Sequence, residues 1–495
     1  MTIDYRIAFG DIHNHNAHGY GQGSIERSVD IAKSHLDFYA FTGHSSWHDL
    51  DVGEDQRFSH FTKGFARLAA TWERVQSVIA NANKDGEFVA FLGFEWHSNF
   101  YGDQCVIFPD DYKPMSYAPD FDRLREFCRS HGAMVLPHHV AYPRGVRGAN
   151  WDVFDSSLSP VVEIYSMHGC SESDRGPYPM KLGSPGGRST DNTISAALGR
   201  GLRFGFTAST DSHRGFPGAW GEGVMAALVE KLDRASVWDA IQSRRTYALT
   251  GDRIELDFKV NGAVMGSTIQ ARGAVQVSFD VSARDEIASI EVIRNNEVVA
   301  TFSPSLPSAG FDWDEPFQAR FEWGWGPWGE LDTPRTIDWD FTLKARGMEL
   351  TRHFPCLASN PFDEDRRHRF ETRGNSLDVV SYSSRNGAFN GNPNQAVILQ
   401  GKADADATLE LTMRTPCQRT QVISLADLAL RSKEMHTGPY PSESYQFHRL
   451  VPLKQSRMAR TISVELSEGR SFIYLRVTQK NGQMAWSSPV FVDGC

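Results

Sequence analysis

The sequence predicts an α/β fold in its first half, six or seven βα units closed or nearly closed into a barrel, and a mostly antiparallel, sandwich-like β region in its second. Three observations carry this. Up to about Gly251, short apolar runs alternate with segments of helical periodicity. Beyond it, apolar residues recur at every second position. Thirteen of the 17 histidines lie at or before His213, leaving only His353, His368, His436 and His448 to the second half. At 495 residues the chain exceeds one core, and we expect one unit over residues 1–251 and a β-rich accessory region, itself one or two units, over 252–495.

In chain order, the first half offers Leu36 to Phe41, Phe88 to Leu92, Ala133 to Leu136, Val161 to Tyr165 and Phe204 to Ala208 as strands of the kind buried on both faces of a parallel sheet. Between them Ile25, Val29, Ala32 and Leu36 recur at helical spacing, as do Phe65, Leu68, Trp72, Val75 and Ile79. In the second half Ile254, Leu256, Phe258 and Val260 alternate with Glu255, Asp257 and Lys259, and Asn261-Gly262 supplies a hairpin turn. Val275, Val277, Phe279 and Val281 repeat the pattern, and Phe472 to Val477 leads into Asn481-Gly482. The run Trp323-Gly324-Trp325-Gly326-Pro327-Trp328 reads as packing rather than as a sugar-stacking surface.

Composition narrows the function classes. A net charge of -10 and a pI near 5.9 argue against a nucleic-acid partner, which would leave a basic footprint. The start Met1-Thr2-Ile3-Asp4-Tyr5-Arg6 lacks a basic, apolar leader, and no apolar segment approaches the length needed to cross a bilayer, so we expect a cytoplasmic protein acting on a small molecule. The six cysteines include no Cys-x-x-Cys pair and read as buried free thiols; Cys170, though two residues beyond His168, is not expected to ligate.

The chemistry sits at strand ends. Six runs finish in Asp11-Ile12-His13-Asn14-His15, Thr42-Gly43-His44, Gly93-Phe94-Glu95-Trp96, Pro137-His138-His139, Tyr165-Ser166-Met167-His168 and Thr210-Asp211-Ser212-His213. Functional groups of α/β sheets gather at the carboxyl ends of strands, where the loops converge. His13 and His15, at i and i+2, point the same way and can grip one ion; Asp211 and His213 share that spacing. A carboxylate such as Glu95 can bridge two ions. We therefore expect His13, His15, Glu95 and Asp211 around one metal, Glu95, His138 and His168 around a second, and His44 with His213 around a third. Side chains of successive extended residues point apart, so one of His138 and His139 ligates, and His138 is favoured. His18, in a glycine-rich loop, is a weaker ligand for the third ion, while His48, His97 and His131 read as supporting or structural. Arg144 and Arg214 follow ligand segments and could bind an anionic group or form surface ion pairs.

Imidazole and carboxylate without thiolate suits zinc, manganese or iron, two or three ions in all. Such ions acidify a bound water and stabilise developing negative charge, which points to hydrolysis.

These segments resemble the polymerase and histidinol phosphatase (PHP) superfamily of metal-dependent hydrolases. Gly10-Asp11-Ile12-His13-Asn14-His15 is similar to its opening Gly-Asp-Leu-His-x-His motif, and Ser209-Thr210-Asp211-Ser212-His213 to its closing Asp-x-His motif. Phe91-Leu92-Gly93-Phe94-Glu95-Trp96, Glu163 to Glu172 and Arg244 to Gly251 resemble the subgroup that contains carbaryl hydrolases, the CehA/McbA-like proteins, as do Tyr474 to Gln479 and Ala485 to Pro489. The resemblance covers residues 9 to 251 well and the rest thinly. It implies a distorted (β/α)7 barrel with up to three metals, and a hydrolase of phosphoesters, slightly favoured, or of carbamates or carboxyl esters; a metal-assisted lyase acting on a uronate-type sugar is a separate alternative. One departure stands out: Thr42-Gly43-His44 occupies the place of the family's Thr-Asp-His.

Overall fold

The apolar runs of the first half become strands buried along most or all of their length. In the computed structural model, which describes residues 5–51, 58–180, 187–305, 310–325, 336–359, 365–384 and 394–494, these are β1 (Arg6–Asp11), β2 (Phe38–Ala40), β3 (Gly43–Trp47), β4 (Val89–Phe91), β5 (Gly93–His97), β6 (Gln104–Ile107), β7 (Met134–Pro137), β8 (Val161–Ser166), β9 (Gly169–Cys170), β10 (Gly205–Ala208), β11 (Val224–Val229) and β12 (Thr246–Leu249). The helices between them are α1 (Ile25–His35), α2 (Ser59–Ala82), α3 (Phe121–His131), α4 (Ile194–Gly199) and α5 (Arg234–Gln242).

Local chemistry accounts for the helices. The Ser24 side chain caps α1 by accepting from the Arg27 N–H, Asp120 does the same for α3 from Arg123, and Gly132, in the left-handed region at φ 67°, ends α3. The expected stripes face inward: Ile25, Val29 and Ala32 on α1, and Leu68, Trp72, Val75 and Ile79 on α2, are buried. Phe65 stays half-buried.

The sheets are more broken than βα alternation suggests. β1 runs parallel to β2, and β2 to β4, but β11 is antiparallel to β1 and β12 to β11. A second sheet joins β3 parallel to β5, then β6 and β7 antiparallel. A third pairs β8 parallel with β10 and antiparallel with β9. Residues 98–103, which link β5 to β6, are too few for the crossover that a parallel pair requires, so the chain turns back as a hairpin. Mixed α/β is the architecture; the hydrogen-bonded ladder is three sheets, not a single parallel ring.

The first sheet also runs across residue 251. β12 pairs with strand Met484–Ser487, which carries it on to Ser471–Gln479, Val490–Asp493 and Ile287–Arg294. The end of the chain therefore packs beside the first half. At the predicted turn Asn261 and Gly262 both have positive φ, 49° and 78°, and Val260 pairs with Ala263. Strands between residues 317 and 452 form a nine-stranded sheet over a separate core of Phe321, Trp323, Trp339, Phe341 and Leu411. Trp323 is buried there and its indole N–H donates to Ser381 Oγ at 3.0 Å, a packing role; residues 326–328 of the tryptophan run lie outside the described residues. No helix among the described residues is long and apolar enough to cross a membrane.

Candidate metal centre

The end of β1 is pinned first. Gly10 has to be glycine, since a Cβ there would lie 2.3 Å from the Phe38 ring. The Asp11 carboxylate accepts from the N–H groups of His13 (3.1 Å), Thr210 (3.2 Å) and Gly218 (2.9 Å), tying β1 to the segment after β10. Burial pushes its carboxyl up to about 6 against those hydrogen bonds. The chain then extends beyond the strand: His15 N donates to Ser212 O at 2.9 Å, and Asp211 N to His13 O at 2.7 Å. Asp211 holds φ 52°, a strained conformation that these bonds enforce.

His13, His15, His44, Glu95, His138, Asp211 and His213 converge below this pin. His15 Nε2 is 3.2 Å from His13 Nε2, 3.0 Å from Asp211 Oδ1 and 3.4 Å from Glu95 Oε2. His44 Nε2 is 3.5 Å from the same Glu95 oxygen and 3.1 Å from His213 Nε2. The other Glu95 oxygen lies 2.9 Å from His138 Nε2. Glu95 thus stands between the histidine sets, as expected of a bridging carboxylate. His168 groups differently from the expectation: its Nε2 is 3.0 Å from Asp211 Oδ2, while Nδ1 meets the Tyr142 hydroxyl at 2.9 Å. The turn after β8 points it at the Asp211 side of the centre rather than at His138.

Several neighbours were not among the expected ligands. His97 Nδ1 is 3.2 Å from Glu95 Oε1 and 3.0 Å from Asp103 Oδ2, and His139 Nε2 is 3.4 Å from Asp103 Oδ2. Both were legible in part. Glu95 and His97 are i and i+2 on β5, the spacing used for His13 and His15. The hairpin register pairs Trp96 with Gln104, and one step further brings His97 to Asp103. His139 escapes the alternation rule because its φ is 32°, which lets both adjacent imidazoles turn inward. Among the described residues, ligating atoms within 4.8 Å of one another occur in four further combinations besides His13, Cys105 and His138: His13, His15 and Asp211; His15, His44 and His213; His44, Glu95 and His97; and Glu95, Asp103, His138 and His139.

The donor set fits divalent cations. Burial holds His13, His44 and His138 well below their usual range, and His213 down to about 3, so all four are neutral imidazoles with lone pairs to offer. Burial, reinforced by Asp103 and Asp211, pushes the Glu95 carboxyl well up. Its Oε2, fully enclosed, makes no hydrogen bond despite two imidazole nitrogens at 3.4 and 3.5 Å. A buried carboxylate oxygen surrounded by lone pairs is a poor protein-only arrangement and a good one around a cation. Outside the ligands, Glu163 Oε2 lies 3.0 Å from His13 Nδ1 and orients that ring.

A cavity of about 540 Å3 opens over the centre, with Tyr20, Phe61, Arg147, His168, His213 and Arg214 in its wall. The Tyr20 ring stacks on His44 at 3.4 Å, and Gly19 lets the loop come that close, since a Cβ would lie 2.7 Å from His44 Nδ1. Arg214 lines the cavity. Arg144 does not: it is exposed and paired with Asp152 at 2.7 Å. The arginine that reaches the cavity is Arg147, whose Nε donates to Asp103 at 2.7 Å. Of the remaining histidines, His18 is taken by Thr71 Oγ1 at 2.7 Å, His48 stacks on Trp96 and His131 caps the end of α3. Cys170 is buried in an apolar cluster away from the ligands.

No protein-family profile matches the chain. A protein of Chlamydia trachomatis named only as uncharacterized is 29% identical over 270 residues, covering 50% of this chain and 43% of its own length. A counterpart from Chlamydia muridarum is 27% identical with the same coverage. The chain thus spans less than half the length of these relatives. Among solved structures, a two-domain protein from Bacteroides vulgatus, described as containing a predicted PHP-like metal-dependent phosphoesterase, aligns over 85% of this chain and 96% of its own with 10% identity and a TM-score of 0.33.

Proposed function

We propose that this chain is a metal-dependent hydrolase of small ester-type substrates, with phosphoesters ahead of carboxyl esters and carbamates. In this reading His13, His15, His44, Glu95, His138, His168, Asp211 and His213 hold two or three divalent ions of zinc, manganese or iron, and residues 1–251 supply the chemistry on a distorted barrel of the PHP type, CehA/McbA-like in its motifs. The observation that carries it is Glu95 Oε2, buried without a hydrogen bond between two neutral imidazoles. Divalent ions bound there would acidify a water and offset the negative charge of the transition state.

The chain's own residues do the rest. Arg147, held by Asp103, and Arg214 present guanidinium groups to the cavity and would neutralise an anionic substrate group, which favours phosphoesters. Glu163 fixes the tautomer of His13, and Tyr142 orients His168. Tyr20 and Phe61 form an apolar wall that limits water. That same wall, with Met167, favours the second reading: a carbamate or carboxyl ester with a hydrocarbon leaving group would also be accommodated.

Metal analysis after reconstitution with zinc, manganese and iron in turn tests the first requirement, with at least about two ions per chain expected. A panel of phosphoesters, carboxyl esters and carbamates in isotopically labelled water then tests the reaction. Hydrolysis places one solvent oxygen in a product; an unsaturated product without it would make the chain a lyase.

A further inference from the structure

A second cavity, about 820 Å3 in volume, lies between the two halves of the chain and shares no described lining residue with the metal-centre cavity. β1 reaches both: Phe9 lines this cleft, and the extension of the same strand carries His13 to the metals. Its wall is rich in guanidinium groups, and they are not equivalent. Arg6 is paired with Asp37 at 2.8 Å and Arg352 with Glu255 at 3.2 Å. Arg253 has no ion pair among the described residues; its one hydrogen bond, to Gly251 O, is long at 3.4 Å, and its guanidinium sits 5.6 Å from the Phe9 ring. The nearby carboxylates are already engaged. Asp37 takes Arg6 and the Phe9 N–H, and Asp252 accepts from Trp220, Arg320, Gln479, Asn481 and the Cys356 thiol. Arg369, an exposed residue of the same lining, has no carboxylate partner among the described residues either.

A desolvated guanidinium without a counter-charge is costly unless an anion completes it. Burial brings Arg253 down to about 10 even though Asp37 and Asp252, already engaged elsewhere, act against it. Phe9 and Phe370 supply flat apolar faces beside it, while the Phe354 ring is already covered by Arg284 and Arg352, and the volume is in the range of small-molecule sites. We infer that this cleft binds a small organic anion, its phosphate-type or carboxylate head on Arg253 and Arg369 and its flat apolar body against Phe9 and Phe370. The ligand would bridge the two halves, because Phe9 comes from one and the remaining groups from the other. The inference does not depend on what the metal centre does.

Titration calorimetry on the full, metal-loaded chain with phenylphosphonate, which cannot be hydrolysed as an ester, is the test. One binding event should survive both chelation and Arg147→Gln, and Arg253→Gln should weaken it about tenfold or more. Arg369→Gln, an exposed position that leaves folding alone, should weaken it several-fold and decides the matter should Arg253→Gln not fold. Inorganic phosphate should bind more weakly than phenylphosphonate; equal binding would overturn the aromatic part. Unchanged affinity in the arginine variants, or binding that vanishes with chelation, would overturn the site. Failure of every ester in the activity panel would leave this binding untouched, so the two readings fail separately.

Discussion

Two buried carboxylates, Glu95 in the metal centre and Asp252 at the junction of the halves, solve the same electrostatic problem in opposite ways. Asp252 accepts from Trp220 Nε1 at 2.9 Å and from Arg320, Gln479 and Asn481, each at 2.8 Å. Burial works against its charge, but Arg320 and the amides hold its carboxyl below the usual range. Glu95 is as enclosed, yet burial together with Asp103 and Asp211 pushes its carboxyl up against the pull of Arg147, and the imidazoles of His15 and His44 beside its Oε2 are held neutral by burial. One site is closed by protein donors and needs nothing more. The other leaves Glu95 Oε2 without a hydrogen bond beside imidazole nitrogens, an arrangement that a cation would relieve. The contrast separates burial that stabilises a fold from burial that prepares chemistry.

The sharpest way to break this comparison is at the metals. Asp211→Asn or His13→Ala should abolish turnover, by on the order of a thousandfold or more, with metal content reduced and the fold intact by circular dichroism. Unfolding of either variant at room temperature would make the metals structural and erase the distinction.

Next in size is stability. Arg320→Ala leaves Asp252 buried without its counter-charge and should cost about 3–5 kcal/mol in denaturant unfolding, with metal content unchanged. Glu95→Gln should do the reverse: in the metal-free protein it removes an uncompensated acid, so the variant unfolds at the same or higher denaturant concentration than the parent, while its metal affinity falls. Equal losses of apo stability in both variants would show that Glu95 is satisfied by the protein.

A third effect concerns the substrate. Arg147→Gln should lower kcat/KM for a phosphoester by about ten- to a hundredfold, roughly 1.4–2.7 kcal/mol, and that for an uncharged ester much less. Similar losses for both would remove the argument for anionic substrates.

Acid sharpens the comparison in the β-rich half. His368, buried between Ser381 Oγ and the Ser359 carbonyl, is brought down to about 4. Its unfolded form takes up a proton below about 6.5, while the folded form resists until about 4, so stability is complete above that window and falls as pH drops through it. The loss from this residue is at most on the order of 3 kcal/mol. Urea midpoints of His368→Gln should fall less steeply between those pH values than those of the parent. The smallest effect is Arg144→Ala, expected within about 0.5 kcal/mol in stability and without consequence for turnover, since its partner Asp152 also holds Arg200 at the surface.

Much of the centre was legible because strand periodicity is local. Apolar runs that finish in His, Asp or Glu put His13, His15, His44, Glu95, Asp211 and His213 near one another, and the i and i+2 rule, had it been applied to Glu95, would have added His97. The helical stripes of α1 and α2, the Asn261-Gly262 turn and the alternation of Ala274–Ser282 are likewise set by neighbouring residues and the fixed periods of helix and strand.

What the tertiary structure alone decided depends on residues far apart in the chain. Arg147, rather than Arg144, reaches the cavity because its backbone adopts φ 67° and Asp103, forty-four positions earlier, draws it in. His168 turns to Asp211 instead of His138, and the sheet runs across residue 251 because β12 finds its partner in Met484–Ser487. Whether a buried carboxylate is satisfied is of the same kind. The sequence around Asp252 and Glu95 does not say which is satisfied; the arrival of Arg320, Gln479 and Asn481 at one, and of imidazoles at the other, leaves the first fully hydrogen-bonded and Oε2 of the second without a partner, because compensation of a buried charge is a property of its surroundings in space.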